Sequence, residues 1–252
     1  MKWITKYAPI CLCLLFSTVS VTTHAQSDKF QTNSGEVTII PINHATLALK
    51  WGQEVIYFDP SGDHQLFKEV PKPTMILITD IHGDHLNLST LDRIGAKDIQ
   101  LVAPPAVADK IPRSYSKVRV LPNGQSVELG GVKIEAMPMY NLPESKDSRH
   151  PKGRGNGYVL TIAGKRLYIS GDTADIPEMR ALEDIDVAFV CMNLPYTMDV
   201  ASAASAVLDF APAIVYPYHF RGQNGLSDVG QFKETVTTGN KSIEVRLREW
   251  YP

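Results

Sequence analysis

Six consecutive residues, Asp80-Ile81-His82-Gly83-Asp84-His85, hold four side chains able to ligate a metal. Carboxylates and imidazoles bind zinc, manganese or iron while leaving coordination positions open for water. The apolar run Met75-Ile76-Leu77-Ile78-Thr79 precedes them directly. The ligands therefore sit where a short buried strand ends in a Gly-containing loop, which holds side chains still, and the segment reads as a catalytic metal site.

The elements that must position this loop are mostly strands. Val37-Thr38-Ile39-Ile40, Thr46-Leu47-Ala48-Leu49 and Val55-Ile56-Tyr57-Phe58, separated by polar or Gly-containing breaks, predict an antiparallel meander ending on Asp59-Pro60. After the metal loop the strand pattern continues at residues 99–103, 118–121, 126–129 and 132–136, with Gly130-Gly131 as a two-residue hairpin signal. A further hairpin, residues 158–162 and 166–170, turns at Ala163-Gly164-Lys165 and runs into Gly171-Asp172-Thr173. Helices are expected over residues 201–208, capped by Thr197 or Asp199, and over 229–236. Residues 145–157 read as a polar, mobile loop.

A length of 252 residues with 44% hydrophobic composition suits one large domain with one substantial core. Residues 1–25 are set apart from it. Lys2 and Lys6, then the apolar stretch 10–21, then Thr23-His24-Ala25 make the pattern of a secretory signal peptide, and no small residue precedes Cys11 as a lipid anchor would require. The expectation is a secreted or periplasmic protein whose mature domain spans residues 26–252, without stable membrane association. Cys191 is then the sole cysteine, so no internal disulfide forms, and its apolar run predicts a buried, inert thiol. A formal charge of −2, with Lys and Arg dispersed, excludes a basic nucleic-acid or membrane surface and points to a small-molecule substrate.

With the order of these segments, the loop resembles the signature of the metallo-β-lactamase fold superfamily, HxHxDH followed by further His, Asp and His ligands. Here it stands as DxHxDH, then Gly171-Asp172-Thr173, then Pro217-Tyr218-His219. The resemblance is closest to the branch of ascorbate-phosphate lactonase-like and phospholipase D-like hydrolases, with Asn43-His44-Ala45, Asp59-Pro60 and His150-Pro151-Lys152-Gly153 as matching segments. It implies an α+β fold: a four-layer αββα sandwich of two mixed β-sheets flanked by helices. It also implies that Asp80 and His82 serve one metal, that Asp84, His85 and His219 serve a second, and that Asp172 bridges them. Taken alone, Asp172 would read as a helix N-cap and His219 as a core histidine.

Two residues depart from the family pattern. Asp80 replaces the first histidine, substituting an anion for a neutral imidazole and favouring a harder ion at that position. Asn141 stands near an expected histidine, so the first metal takes either a weak site or His150 from the next loop. Zn2+ is the first choice of ion, one or two per chain, with Mn2+ or Fe2+ as alternatives. Asp59 is a candidate to orient a ligand imidazole. Arg149, Lys152, Arg154 and Arg221 are candidates to bind a substrate anion.

The implied chemistry is hydrolysis by a metal-bound hydroxide, oriented by Asp84 or Asp172, on a small ester-type substrate, with a lactone or phosphate ester favoured. A β-lactam hydrolase, or a non-catalytic exported protein that keeps a metal for stability, are the alternatives. They differ in solvent access, since a structural ion is closed by protein ligands and a catalytic one keeps an open position.

Overall fold

In a computed structural model of the chain, Met1 and residues 27–251 are described, so the expected signal peptide with Cys11 and Cys13 lies outside the described residues. The first sheet contains β1 (Asp28–Thr32), β2 (Gly35–Asn43), β3 (Thr46–Trp51), β4 (Glu54–Phe58), β5 (Met75–Leu77), β6 (Gln100–Ala103) and β7 (Val118–Val120), side by side in chain order. The second contains β8 (Ser126–Leu129), β9 (Val132–Met139), β10 (Gly155–Ile162), β11 (Lys165–Ile169), β12 (Val187–Cys191) and β13 (Ile214–Tyr218). After a ribbon of β14 (Arg221–Gly222) and β15 (Gly225–Leu226), the last strand, β16 (Glu244–Val245), joins the second sheet outside β13. Helices α1 (Leu88–Arg93) and α2 (Pro105–Ala108) accompany the first sheet, and α3 (Pro177–Arg180), α4 (Val200–Phe210) and α5 (Val229–Gly239) the second.

Both sheets follow one plan. Antiparallel hairpins build β1 to β4 and β8 to β11, and parallel pairing then takes over from β4 to β7 and from β11 through β13 to β16. Parallel strands need crossovers, and these connections carry the helices to the outer faces.

Side-chain alternation shows the layering directly. On β4 and β5, Ile56, Phe58, Met75 and Leu77 enter the core between the sheets, while Val55, Tyr57 and Ile76 turn outward against Leu91 of α1 and Val107 of α2. A strand buried on both faces explains the unbroken apolar runs, in place of an apolar–polar alternation. The four-layer αββα sandwich is thus present, as the resemblance implied.

Asp199 is the cap of α4, its side chain accepting from Ser202 N at 2.7 Å, while Thr197 bonds instead to Asn193. Of residues 145–157, expected as a mobile loop, 145–149 and 151–153 form a partly to fully exposed loop without helix or strand. Gly155–Gly157 belong to β10 and are buried, as is His150. A Cβ on Gly155 would lie 2.8 Å from Thr79 O, so only glycine permits the close approach at which Asn156 N donates to that same carbonyl at 2.9 Å. This bond joins the second sheet to the metal loop of the first.

The C-terminal segment closes the core. Trp250 is fully buried, edge-on to Phe189 and inclined to Tyr218, and its carbonyl accepts from His44 N at 3.0 Å. Trp250→Ala should therefore cost about 3–5 kcal/mol, the usual range for truncating a buried Trp. Urea unfolding would register this as a lower midpoint at constant slope; a loss under about 1 kcal/mol would contradict the packing role.

Candidate metal centre

The parallel strands fix where the functional residues meet, because their C-terminal ends lie along one edge of the sandwich. Asp59 follows β4, residues 80–85 follow β5, Asp172 follows β11, Asn193 follows β12 and His219 follows β13. His150 arrives on the connection between β9 and β10, and His44 sits between β2 and β3. The three distant segments expected to supply ligands, residues 80–85, Asp172 and His219, thus come together.

Two clusters result. In one, His85 Nε2 lies 3.2 Å from Asp172 Oδ2 and 3.2 Å from His219 Nε2, and His219 Nε2 lies 3.1 Å from Asp172 Oδ1. Asp84 Oδ2 lies beside it, 3.6 Å from His219 Nε2 and 3.8 Å from His85 Nε2, and forms with His219 and His44 an overlapping group also close enough to hold an ion. Four ligands about 2.0–2.1 Å from a tetrahedral ion would stand about 3.3 Å apart, which is close to this spacing. In the other cluster, Asp80 Oδ2 lies 2.8 Å from His82 Nδ1 and 4.0 Å from His150 Nε2. Asp172 Oδ2, 3.0 Å from His150 Nε2, faces both clusters.

The donor set fits divalent ions on a further observation. His150 Nε2 and Asp172 Oδ1 are buried and have no hydrogen-bond partner, although other site atoms approach them to about 3 Å. Contact without hydrogen-bond alignment is the arrangement of donors aimed at a common ion. Unsatisfied, such buried groups are costly.

Outer partners orient the ligands. Asp59 Oδ2 lies 2.8 Å from His85 Nδ1, and the same carboxylate accepts from Thr79 N at 2.7 Å and Thr79 Oγ1 at 2.6 Å. With Nδ1 so engaged, Nε2 of His85 is the nitrogen presented to an ion. The amide of Asn193 lies 3.1 Å from His219 Nδ1.

Of the two residues considered for the first metal, His150 reaches the cluster. Asn141 does not: its Oδ1 accepts from His150 N at 2.8 Å and its Nδ2 donates to Tyr196 O, so it positions His150.

His44, left outside the ligand set on sequence, lies 3.4 Å through Nε2 from Asp84 Oδ2. Its other nitrogen is 3.0 Å from Tyr251 Oη, which already accepts from Phe220 N and Arg221 N. The tyrosine proton must then go to His44 Nδ1, and Nε2–H faces Asp84. In this tautomer His44 donates to Asp84, although His44, Asp84 and His219 also stand close enough together to hold an ion. Thr79, Asn193 and Tyr251 had no sequence signal beyond position: the first two directly follow or nearly follow apolar strands, as Asp59 does.

Arg154 was expected to face substrate, but its Nε and Nη2 donate to Asp80 Oδ1 and Oδ2 at 3.1 and 2.9 Å. Lys152 pairs with Glu144 and Glu178. Among the described residues Arg149 and Arg221 meet no carboxylate; each lies over a tyrosine ring, Tyr196 and Tyr251 respectively. Cys191 is fully buried, and burial pushes its thiol up to about 11, in keeping with an inert side chain.

Electrostatics follow the same geometry. Burial would raise the Asp172 carboxyl, yet the imidazoles of His219 and His85 hold it well below the usual carboxylate range. Burial likewise opposes charge on His85, but Asp172 and Asp59 outweigh it and hold the imidazole well above its ordinary value. In Asp84, burial is outweighed by the hydrogen bond from His44 and by His85 and His219, and the carboxyl is strongly lowered.

The sign of one pH effect is therefore fixed. Without an ion, His85 carries a proton at neutral pH that a cation must displace, so metal affinity rises with pH up to the raised value of His85. Stability of the metal-free protein runs the other way, being present below the unfolded histidine value and lost as pH rises through the folded one. Calorimetric titration of zinc into metal-free protein at pH 7, in buffers of differing ionisation enthalpy, should show release of about one proton for the ion bound at His85. Binding without proton release would exclude the charged state.

Comparison with known proteins shows the family to which the chain belongs. The model of the "Beta-lactamase superfamily domain" family matches residues 54–220. A UPF0173 metal-dependent hydrolase of Pyrococcus horikoshii is 31% identical over 223 residues, covering 82% of this chain and 94% of that protein. The crystal structure of a metal-dependent hydrolase from Parabacteroides distasonis has a TM-score of 0.79 at 39% identity, covering 90% of this chain and all of that one. Igni18, a metallo hydrolase from Ignicoccus hospitalis, shares the fold, with a TM-score of 0.72 at 21% identity over 86% of this chain and 96% of its own. The chain belongs to the beta-lactamase superfamily, among its metal-dependent hydrolases.

Proposed function

We propose that this metal-dependent hydrolase of the beta-lactamase superfamily cleaves a small ester-type substrate, a lactone or a phosphate ester, that carries an anionic group. Zinc is the ion proposed for its centre, and the cell exterior or periplasm, reached through the signal segment 1–25, its place of action. The observation that carries the reading is an opening at one side of the buried cluster. The Asp84 side chain is 42% exposed and His82 31%, while Asp172 is only 4% exposed. A structural ion would be shielded by its ligands, so this opening favours catalysis over a metal-stabilised binding protein.

Asp84, His85, His219 and Asp172 would hold one ion, and Asp80, His82 and His150 with Asp172 another. Bound there, such ions would supply activated water near neutral pH and Lewis-acid polarisation. The protein's own groups set direction. Asp84, ionised and reaching the solvent side, can accept a proton or hydrogen bond from attacking water, and His44 fixes its carboxylate. Asp172 is too buried to meet substrate freely and serves as the shared anion.

Beside Asp84 opens a cleft of about 320 Å³ lined by Asn43, His44, Ser61, Asn87 and Arg221. Arg221 is the one Lys or Arg among the residues lining it, held over Tyr251 at 4.0 Å and meeting no carboxylate among the described residues. Amides, a hydroxyl and one guanidinium suit a small polar substrate with a phosphate or carboxylate better than a lipid chain.

A panel of a carboxylated lactone, a bis-aryl phosphodiester, a glutathione thioester and a chromogenic β-lactam tests the substrate class. Turnover confined to the last two would refute it. His85→Ala and His219→Ala should each lose tight zinc retention together with turnover, and unchanged turnover in either would remove the centre from catalysis. For an anionic substrate that is turned over, Arg221→Met should raise KM about tenfold with kcat within about twofold, matching loss of one charge-assisted hydrogen bond. An unchanged KM would displace the anion site from this cleft.

A further inference from the structure

The fork of Arg154 on Asp80 has a consequence for how the two clusters fill. Asp80 is fully buried, and both of its oxygens are taken by a guanidinium that is itself only 19% exposed. Asp80 Oδ2 also meets His82 Nδ1 at 2.8 Å. Asp84 and Asp172 contrast with it: their near partners are imidazoles alone, and no Lys or Arg pairs with either among the described residues.

Charge decides between the clusters. An ion at Asp84, His85, Asp172 and His219 meets two carboxylates that no Lys or Arg pairs with among the described residues. An ion at Asp80, His82 and His150 meets one carboxylate already neutralised, plus a share of Asp172. A guanidinium keeps its charge throughout the physiological range, so Arg154 remains a cation beside Asp80. Held within about 3 Å of the ligand carboxylate, it would also repel the incoming ion.

We propose that Arg154 is a positioning residue that keeps the Asp80–His82–His150 position a weak, exchangeable one, while the ion at Asp84, His85, Asp172 and His219 is retained. The assignment rests on the metal-dependent reading of the centre. The opposite effect is a real physical alternative, since a partner of a ligating carboxylate commonly strengthens the site, and its removal then costs about 10–100-fold in affinity. Charge and orientation thus predict opposite signs.

The test is a competition titration of zinc into the metal-stripped full-length mature protein with a chromophoric chelator, together with metal analysis after dialysis. Wild-type protein should bind one ion tightly and a second at least about tenfold more weakly, keeping one ion per chain on dialysis. Arg154→Met should tighten the second step about tenfold and leave the first unchanged. Arg154→Gln, which keeps one hydrogen bond to Asp80 but no charge, should do the same and serves if the Met variant does not fold. Arg154→Lys, which retains the charge, should stay near wild type.

Two steps of equal affinity in wild type, or a second step that weakens or stays unchanged in both neutral variants, would overturn the proposal. His219→Ala separates this from failure of the centre itself, because it should abolish the tight step. If wild type binds no ion at all, the metal reading fails, and the role of Arg154 fails with it.

Discussion

Everything at the working edge depends on one constraint: several carboxylates and imidazoles are buried where two sheets meet, and their charges must balance without water. Asp59, Asp80, His85, His150, Asp172 and His219 are all buried. An isolated buried charge is costly, so a cluster of this kind persists only when every member has an opposite charge, a hydrogen bond or an ion to face. The partners observed satisfy that demand in different ways. Asp59 has Thr79 and His85, Asp80 has Arg154 and His82, and Asp172 has only histidines.

The backbone is bent to serve the same edge. His44, Asp59 and His219 adopt positive φ of 53°, 44° and 47°, a region unfavourable for side chains other than Gly. Such strain costs of order 1–3 kcal/mol per residue and must be held by surrounding bonds. Here Asp59 N donates to Leu77 O, His44 N to Trp250 O and His219 N to His44 O. The C-terminal Trp250 and Tyr251 thus support His44, which in turn supports Asp84 and His219. Residues far apart in the chain are coupled to the centre through the main chain of one histidine.

How much of this was legible in the sequence depended on the range of the forces involved. The strands around the metal loop could be read because apolar runs and Gly-containing turns are local signals, and the DxHxDH spacing places its four residues within one loop. Asp172 and His219 were legible only through their order after that loop. The partners of Asp80 were not. Arg149, Arg154 and Arg221 look alike in sequence, and only the fold of residues 141–157 against Thr79 separates them, placing Arg154 on a carboxylate and leaving the other two over tyrosine rings. The same fold buries the end of a segment whose polar, Gly-containing composition reads as a mobile loop, because Gly155 and Gly157 are needed for close approach to Thr79 O and Ser170 O.

The asymmetry of the centre then follows from one substitution and its compensation. A neutral histidine at position 80 would need no counter-charge in a buried setting, whereas an aspartate does. The chain supplies that charge from the loop that also supplies His150, since Arg154 lies four residues later and Gly155 anchors both by its approach to Thr79 O. Ligand and counter-charge are thereby carried on one short segment. A displacement of that segment that drew Arg154 away from Asp80 would also move His150, so the anion is not exposed to an ion without a change in the imidazole meant to share it. The cluster around Asp84, His85 and His219 does not draw on that segment: Asp84 and His85 lie in the loop after β5 and His219 directly after β13, with His85 held by Asp59 after β4 and His219 by Asn193 after β12.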